Sequence, residues 1–382
     1  MAAASGWFVA RRTDGRQPGE QSPLTQAYRR GLNYLLEEKT DKALETMGKA
    51  LSEDAESLEI QMALGNLYRR RGDVERAIEI HTRIRNHQDL AQDKKARANL
   101  ELGLDFMRAG LFDRAETLFE TLGGSTPYDL EAQQQLLLLY QQQNDWHRAL
   151  GCILRWRQLR KPRHGETAAF FLCELAEEAM ALHRLKDARD LLQEALLDDP
   201  GCVRATMARG RLEYMNGEYR QAFETLRGIE QQNPSFLAVV LPLIGHCADR
   251  LHFDEEYVGW LEDIHQRYRI MAAAIARADR LVRLRGMEAA LNYLLPILEE
   301  SPDPQALNHA LGYLAQETHS SSRLSRLQTL LSHTLSGQEQ FRCEHCGFES
   351  VALYWRCPSC RYWGAIRPMG PFSSLRLDEA ES

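Results

Sequence analysis

The stretch GNLYRRRGDVERAIEI, residues 65–80, carries the pattern that most of the chain repeats. It places a glycine, Gly65, twelve residues before an alanine, Ala77. Small side chains at these two places let two antiparallel helices approach each other closely. The aromatic Tyr68, three residues after the glycine, fills the space beside that contact. The stretch therefore predicts a pair of packed helices.

The same pattern recurs along the chain. Its alanines are spaced by 34, 38, 34, 39, 34 and 68 residues, at Ala43, Ala77, Ala115, Ala149, Ala188, Ala222 and Ala290. Small residues precede most of them by twelve positions, at Gly31, Gly65, Gly103, Ala176, Gly210 and Ala278. Prolines twelve residues after four of the alanines are expected to end the second helix. These are Pro127, Pro200, Pro234 and Pro302.

Residues 65–80, 103–119 (GLDFMRAGLFDRAETLF) and 210–226 (GRLEYMNGEYRQAFETL) resemble the tetratricopeptide repeat. The resemblance implies an all-α fold, a tetratricopeptide-repeat α-solenoid of about nine units over residues 24–337. Two units fit poorly, because the register puts Glu256 and Leu324 where the alanine belongs. The alternative is an unrelated helical bundle.

The concave face of a solenoid is a groove suited to an extended peptide or to another protein. Residues on the first helix of each pair line it, and the candidate partner-binding residues there are Asn66, Arg69, Arg204 and Arg211. For each of them the alternative is a solvated polar side chain.

A second candidate surface begins at Arg155, Trp156 and Arg157 and continues through Arg160, Lys161 and Arg163. Its basic residues flank an indole with no acid between them, a composition that attracts an acidic partner or anionic head groups. The alternative is a basic helix end, because the helix dipole favours cations there.

A different signal lies near the C-terminus, in FRCEHCGFESVALYWRCPSCRYWGAIRP, residues 341–368. It holds two Cys-x-x-Cys pairs separated by ten residues, formed by Cys343, Cys346, Cys357 and Cys360. Four thiolates at this spacing converge on one tetrahedral metal ion at about 2.3 Å. Zinc and iron both accept such a donor set. Two disulfides are the alternative, although disulfides rarely persist in cytosolic proteins.

The surrounding residues predict a small module, residues 338–370, that folds around the metal. Gly347 can take the left-handed conformation that closes the first knuckle. The segment FESVALYWR predicts two short strands. The side chains expected to cover the metal are Phe341, Phe348, Tyr354, Trp355 and Trp363. A module this small cannot form a stable hydrophobic core by itself. Metal binding is therefore expected to drive its folding.

The composition is that of a folded protein. The chain has 382 residues, of which 44% are hydrophobic and 26% are charged. Its net charge of −7 argues against a protein that binds nucleic acid through its overall charge.

No phosphate-binding loop, His-Glu-x-x-His or Gly-x-Ser-x-Gly motif occurs in the sequence, so no enzymatic activity is predicted. The remaining cysteines are expected to be buried small hydrophobes. They are Cys152, Cys173, Cys202 and Cys247.

The N-terminus, MAAASGWFVARR, is an apolar run that stops at Arg11 and Arg12. A spanning helix needs about 20 apolar residues, so this run by itself cannot cross a bilayer. An apolar run, a tryptophan and paired arginines nevertheless match the cytoplasmic end of a membrane anchor. We interpret residues 1–23 as the remnant of an anchor followed by a linker, with an unstructured N-terminus as the alternative. Residues 371–382 are interpreted as a flexible tail.

The apolar stub ending in Arg-Arg, the repeat units and the terminal CEHCGF and LYWRCPSCRYW motifs closely resemble the lipopolysaccharide assembly protein B family of Gram-negative bacteria. The likeness covers nearly the whole chain. It implies a repeat domain on the cytoplasmic face of the inner membrane, held by an N-terminal helix that is incomplete in this chain. It also implies a rubredoxin-like knuckle with one iron ion, or zinc as the alternative, on Cys343, Cys346, Cys357 and Cys360.

The resemblance further implies a non-enzymatic adaptor that regulates lipopolysaccharide synthesis. Such an adaptor promotes degradation of the deacetylase that commits precursor to lipid A. The degrading partner is a membrane-anchored AAA+ protease of the FtsH type. Other inner-membrane lipopolysaccharide regulators or assembly proteins are further expected partners, and nucleic acid is not one.

The chain departs from rubredoxin in two ways. Arg361 follows the second knuckle where a rubredoxin usually has glycine, and the gap between the cysteine pairs is shorter. Electron transfer is therefore not inferred by analogy with rubredoxin. Two functions from other classes are the alternatives. One is a rubredoxin-like redox protein. The other is a nucleic-acid-binding zinc-ribbon scaffold, supported by Arg342, Arg356, Arg361 and Arg367.

Overall fold

The computed structural model describes residues 30, 33–34, 39–53, 58–88, 90–124, 127–159, 165–317, 328–329, 331–332 and 340–369. Over these residues the chain is helical apart from a small C-terminal sheet. The predicted anchor remnant and linker (1–23), the predicted tail (371–382) and Leu324 lie outside the described residues.

The chain divides into two compact units, the first ending at Trp156 and the second beginning at Arg157. The first unit contains helices α1 (Thr40–Glu53), α2 (Leu58–Arg71), α3 (Val74–Arg85), α4 (Gln92–Arg108), α5 (Phe112–Glu120), α6 (Asp129–Gln143) and most of α7 (Trp146–Leu159). Successive helices from α1 to α6 pack on one another. The predicted domain boundaries 24–337 and 338–370 stay predictions.

The second unit begins its helices with α8 (Gly165–Ala181), α9 (Leu185–Asp198), α10 (Val203–Met215), α11 (Tyr219–Arg227) and α12 (Ile229–Gln232). A 3-10 turn, Pro234–Phe236, then leads into α13 (Leu237–Leu251), α14 (Asp254–Tyr268), α15 (Met271–Arg285), α16 (Met287–Glu300) and α17 (Pro304–Glu317). The C-terminal sheet also belongs to this unit.

Paired helices meet at the small residues that the sequence pattern marks. At three of the glycines a Cβ atom would lie no more than 2.5 Å from the side chain sixteen residues later, so only glycine allows the contact. The pairs are Gly65 with His81, Gly103 with Phe119, and Gly210 with Leu226. The seven spaced alanines are all fully buried. The tetratricopeptide fold class is therefore confirmed, and the glycine contacts have the same spacing in both units.

The sheet has three short antiparallel strands in the order β2-β1-β3: β1 (Phe341–Cys343), β2 (Glu349–Ser350) and β3 (Ile366–Pro368). Only β2 lies in the segment expected to hold two strands. The second strand of the pair forms after the second knuckle instead. Between Trp355 and Trp363 the chain makes a single isolated bridge, Arg356 to Trp363. The indole rings pack outside the sheet, that of Trp355 on Phe236 and that of Trp363 on Phe170.

The described helices fall short of what crossing a bilayer requires. None of them combines the length and the apolar character needed to cross a membrane.

Candidate metal centre

The four predicted ligands converge. The Sγ atoms of Cys343, Cys346, Cys357 and Cys360 all lie within 4.8 Å of one another. Two sulfur pairs, Cys343 with Cys360 and Cys346 with Cys357, are each 3.7 Å apart. A tetrahedron of thiolates 2.3 Å from a central ion has edges of about 3.8 Å. The four thiols are unbridged, so the arrangement fits a metal centre and not two disulfides.

The two knuckles are built alike. In the first, the Gly347 N–H donates to the Cys343 carbonyl at 2.9 Å, and in the second the Arg361 N–H donates to the Cys357 carbonyl at 2.8 Å. Gly347 has φ +77° and Arg361 has φ +60°, so both knuckles close through the left-handed region. The predicted conformation of Gly347 is confirmed. Arg361 adopts the same turn without the freedom of glycine.

The electrostatics of the cluster call for a cation. The backbone N–H of Phe348 donates to Cys346 and lowers the pKa of that thiol to about 6. Burial raises the pKa of the Cys360 thiol to about 12, against a hydrogen bond from the Tyr362 N–H. Four neighbouring thiolates repel one another, which disfavours the ionisation of all four. The positive charge of a bound metal ion offsets this repulsion. Zinc and iron both suit the four sulfur donors.

The metal module sits on the helices of the second unit. Trp355 stacks on Phe236 with ring centroids 5.6 Å apart. Trp363 stacks on Phe170 at 5.5 Å and meets Phe171 edge-on at 5.7 Å. We call these three phenylalanines the aromatic seat. The two tryptophans, expected to cover the metal, thus anchor the module to α8 and to the 3-10 turn.

The backbone of the module packs closely against the aromatic seat at Gly364. Gly364 has φ +62°, and a Cβ atom there would lie 2.6 Å from the Phe170 ring. Cys343 and Cys357, each 1% exposed, share one hydrophobic core with residues of α13 such as Leu237. The ligands are therefore part of the packing that joins the module to the repeat.

Comparison with known proteins agrees with both parts of the molecule. A family model described as a rubredoxin metal binding domain matches residues 341–368, and one for the tetratricopeptide repeat matches residues 28–89 and 173–235. Lipopolysaccharide assembly protein B of Escherichia coli K12 is 32% identical over 379 residues, 98% of this chain and 97% of its own. The chain belongs to the lipopolysaccharide assembly protein B family.

Other relatives agree with that assignment. Lipopolysaccharide assembly protein B of Haemophilus influenzae is 29% identical over 381 residues, which cover 97% of this chain and 96% of that protein. A tetratricopeptide repeat protein from Parabacteroides merdae covers 81% of this chain and 98% of its own, at 12% identity and a TM-score of 0.36. That structural likeness is too weak to support any inference.

In this member of the lipopolysaccharide assembly protein B family, two candidate groove residues join neighbouring helix pairs. Arg69 on α2 donates to Glu101 at 2.6 Å and to Asp105 at 2.8 Å, both on α4. Asn66 donates to Glu101 at 3.2 Å. The Arg69 side chain is only 18% exposed. Partner binding by Asn66 and Arg69 stays a prediction, to be weighed against this structural role.

The other two groove candidates lie on α10. Arg204 is 4% exposed, and its guanidinium is 2.9 Å from Glu174 and 2.9 Å from Glu177 on α8. It therefore joins α8 to α10. Arg211 is exposed. Partner binding by these two residues also stays a prediction.

The basic stretch at the end of α7 is only partly described. Arg155 is exposed and Trp156 is half-buried. Arg157 donates two hydrogen bonds of 2.6 Å to Asp198. Its remaining basic residues, Arg160, Lys161 and Arg163, lie outside the described residues. A partner-binding role for Arg155, Trp156 and Arg157 stays a prediction.

The aromatic seat was not found from the sequence. One signal was available in α8, where residues 168–173 (AAFFLC) are all buried. Six consecutive apolar residues point to every side of a helix, so this part of α8 must be buried on all sides. The neighbouring repeat helices alone do not bury all of these sides. The continuous apolar run therefore marks the place where an additional element packs on the repeat.

The second knuckle leads to a stability prediction. Replacing Arg361 with glycine is expected to stabilise the metal-loaded module by about 0.5–1 kcal/mol, because a side chain in the left-handed region is strained. Among the described residues, the Arg361 guanidinium has no hydrogen bond or ion pair to lose, and its charge repels Arg356. Denaturant unfolding followed by tryptophan fluorescence measures the change.

The first knuckle supplies the matched control for this prediction. Gly347→Ala puts a side chain at φ +77° and is expected to shift the unfolding midpoint the other way. A midpoint that falls in Arg361→Gly would contradict the strain argument.

Proposed function

We propose that this chain is a non-enzymatic adaptor in the regulation of lipopolysaccharide synthesis. Its relatives along nearly the whole length are named lipopolysaccharide assembly protein B, which supports a role in that process. The observation that carries the adaptor proposal is the seating of the metal module on the repeat helices through Trp355 and Trp363. The repeat helices of the second unit and the module together offer a surface for binding other proteins.

In this proposal the chain brings together two partners. One is the deacetylase that commits precursor to lipid A, and the other is a membrane-anchored AAA+ protease that degrades it. Catalysis belongs to the protease. Holding both partners at the cytoplasmic face of the inner membrane raises their effective concentration, which adds about 10²- to 10⁴-fold to apparent affinity without new contacts. Other inner-membrane lipopolysaccharide regulators or assembly proteins are further proposed partners.

The metal has a structural role in the proposal. Four protein sulfurs complete a tetrahedral shell and leave no open position for a substrate. The ion holds the two knuckles in the geometry that presents Trp355 and Trp363 to the aromatic seat. We propose iron, with zinc as the alternative, and elemental analysis of the purified protein distinguishes them.

The test is the half-life of the lipid A deacetylase in cells depleted of this protein. We expect the half-life to lengthen severalfold on depletion and to recover when the protein is resupplied as a fusion to a membrane anchor. Resupply of the same protein without an anchor measures how much the membrane tether contributes. A half-life that does not change on depletion would overturn the proposed function.

A further inference from the structure

A cavity of about 440 Å³ lies beside the first knuckle, and its charged lining residues are Arg342, Glu344 and Arg367. Gly347 and Met369 form part of its wall. Along β1 the burial alternates, with Phe341 and Cys343 buried and Arg342 exposed between them. Since side chains alternate along a strand, Arg342 faces away from the side that carries the ligand Cys343.

The sheet register places two positive charges together. Arg342 of β1 is the direct partner of Arg367 in β3, so both side chains project from the same face. Like charges directly opposite each other destabilise an antiparallel pair. On its other side Arg342 pairs directly with Glu349 of β2, an opposite charge that offsets part of this cost.

Each of these arginines forms one long ion pair with a carboxylate. Glu349 lies 3.7 Å from Arg342 and Glu344 lies 3.5 Å from Arg367, both beyond good hydrogen-bond distance. Among the residues the structure describes, Arg342 makes no hydrogen bond. The hydrogen bonds of Arg367 come from Nη1, which donates to the carbonyls of Gly364 and Ile366, and its guanidinium also lies 5.7 Å from the centre of the Phe236 ring.

We propose that Arg342 and Arg367 bind a phosphate group, carried either by a lipid head group or by a soluble phosphate compound. A phosphate offers several acceptor oxygens and up to two negative charges, so it can accept from both guanidinium groups at once. A single carboxylate carries one charge. Glu344 and Glu349 are 65% and 39% exposed, so they can rotate out of the way. This site does not depend on the proposed adaptor function.

The test uses the full, metal-loaded chain and two probes. Pyrophosphate binding is measured by titration calorimetry at constant ionic strength. Vesicle binding is measured by flotation with phosphatidylcholine vesicles, with and without phosphatidic acid. Arg342→Gln is expected to weaken pyrophosphate binding at least about tenfold, because it removes one charged donor pair. The control Arg361→Gln, an exposed arginine of the same module outside the cavity, is expected to bind within about twofold of wild type.

The outcomes separate the two sources of phosphate. Loss of both pyrophosphate and phosphatidic acid binding in Arg342→Gln identifies a lipid phosphate site, and loss of pyrophosphate binding alone identifies a soluble ligand. Equal binding by wild type and Arg342→Gln, or no binding of either probe by wild type, overturns the proposal. Without phosphate, Arg342→Gln should melt close to wild type, because the loss of the long ion pair with Glu349 and the relief of the repulsion from Arg367 offset each other. Arg342→Lys, which keeps the charge, should retain part of the affinity.

Discussion

Replacing Cys357 with serine is expected to release the metal and unfold the C-terminal module while the repeat helices stay folded. Cys357 is 1% exposed and belongs to the core that joins the module to α13. The module has three strands of two or three residues, too few to fold without the ion. Structural zinc sites contribute about 10–16 kcal/mol of apparent binding free energy at neutral pH, and that energy is coupled to folding.

Metal content and tryptophan fluorescence measure this effect. Trp355 and Trp363 leave the aromatic seat when the module unfolds, so their emission is expected to shift to the red while the helical circular dichroism changes little. Cys152→Ser is the matched control, because Cys152 is a buried cysteine of α7 that is not one of the four clustered cysteines. Full metal content in Cys357→Ser would contradict the assigned ligand set. Normal deacetylase turnover by a metal-free variant would contradict the structural role of the metal.

Replacing Trp363 with alanine is expected to detach the module from the helices without removing the metal. The indole stacks on Phe170 and meets Phe171 edge-on, and neither contact involves a ligand. Truncating a fully buried large aromatic side chain costs about 3–5 kcal/mol, and because Trp363 is half-buried about half of that cost is expected. The seating of the module should therefore weaken by that order, and the deacetylase half-life should lengthen towards the value in depleted cells.

Limited proteolysis between the repeat and the module reports the detachment, and elemental analysis reports the metal. The neighbouring Tyr362, 56% exposed and stacked only on His345 among the described rings, provides the control variant Tyr362→Ala. It removes an aromatic ring from the same knuckle and is expected to leave both proteolysis and turnover unchanged. If Trp363→Ala stayed as protease-resistant as Tyr362→Ala, the seat would not hold the module.

Much of this architecture follows from local rules in the sequence. The spacing of Gly65 and Ala77 predicts a helix pair, because close helix packing needs small side chains at those two places. The ligands were predicted for a similar reason, since a Cys-x-x-Cys pair turns both sulfurs the same way within one short knuckle. The burial of the four other cysteines, Cys152, Cys173, Cys202 and Cys247, is also confirmed.

For the candidate groove residues, these local rules predict the position on the helix but not the contacts of the side chain. Position in the repeat places Arg69 and Arg204 on the first helices, as predicted. Whether a guanidinium there faces solvent depends on the carboxylates of an adjacent helix pair. Asp105 of the following pair contacts Arg69, and Glu174 of the preceding pair contacts Arg204. An ion pair of this kind joins residues about thirty or more positions apart, a separation that carries no periodic signal.

The sequence by itself determined the repeat, its register and the four metal ligands, because each depends on residues within a few turns of one another. Only the tertiary structure decided where the module sits and which side chains share a face of its sheet. Trp363 meets Phe170 across almost two hundred residues, and Arg342 faces Arg367 through the strand register. Such contacts arise from the shape of packed surfaces, which no local spacing encodes.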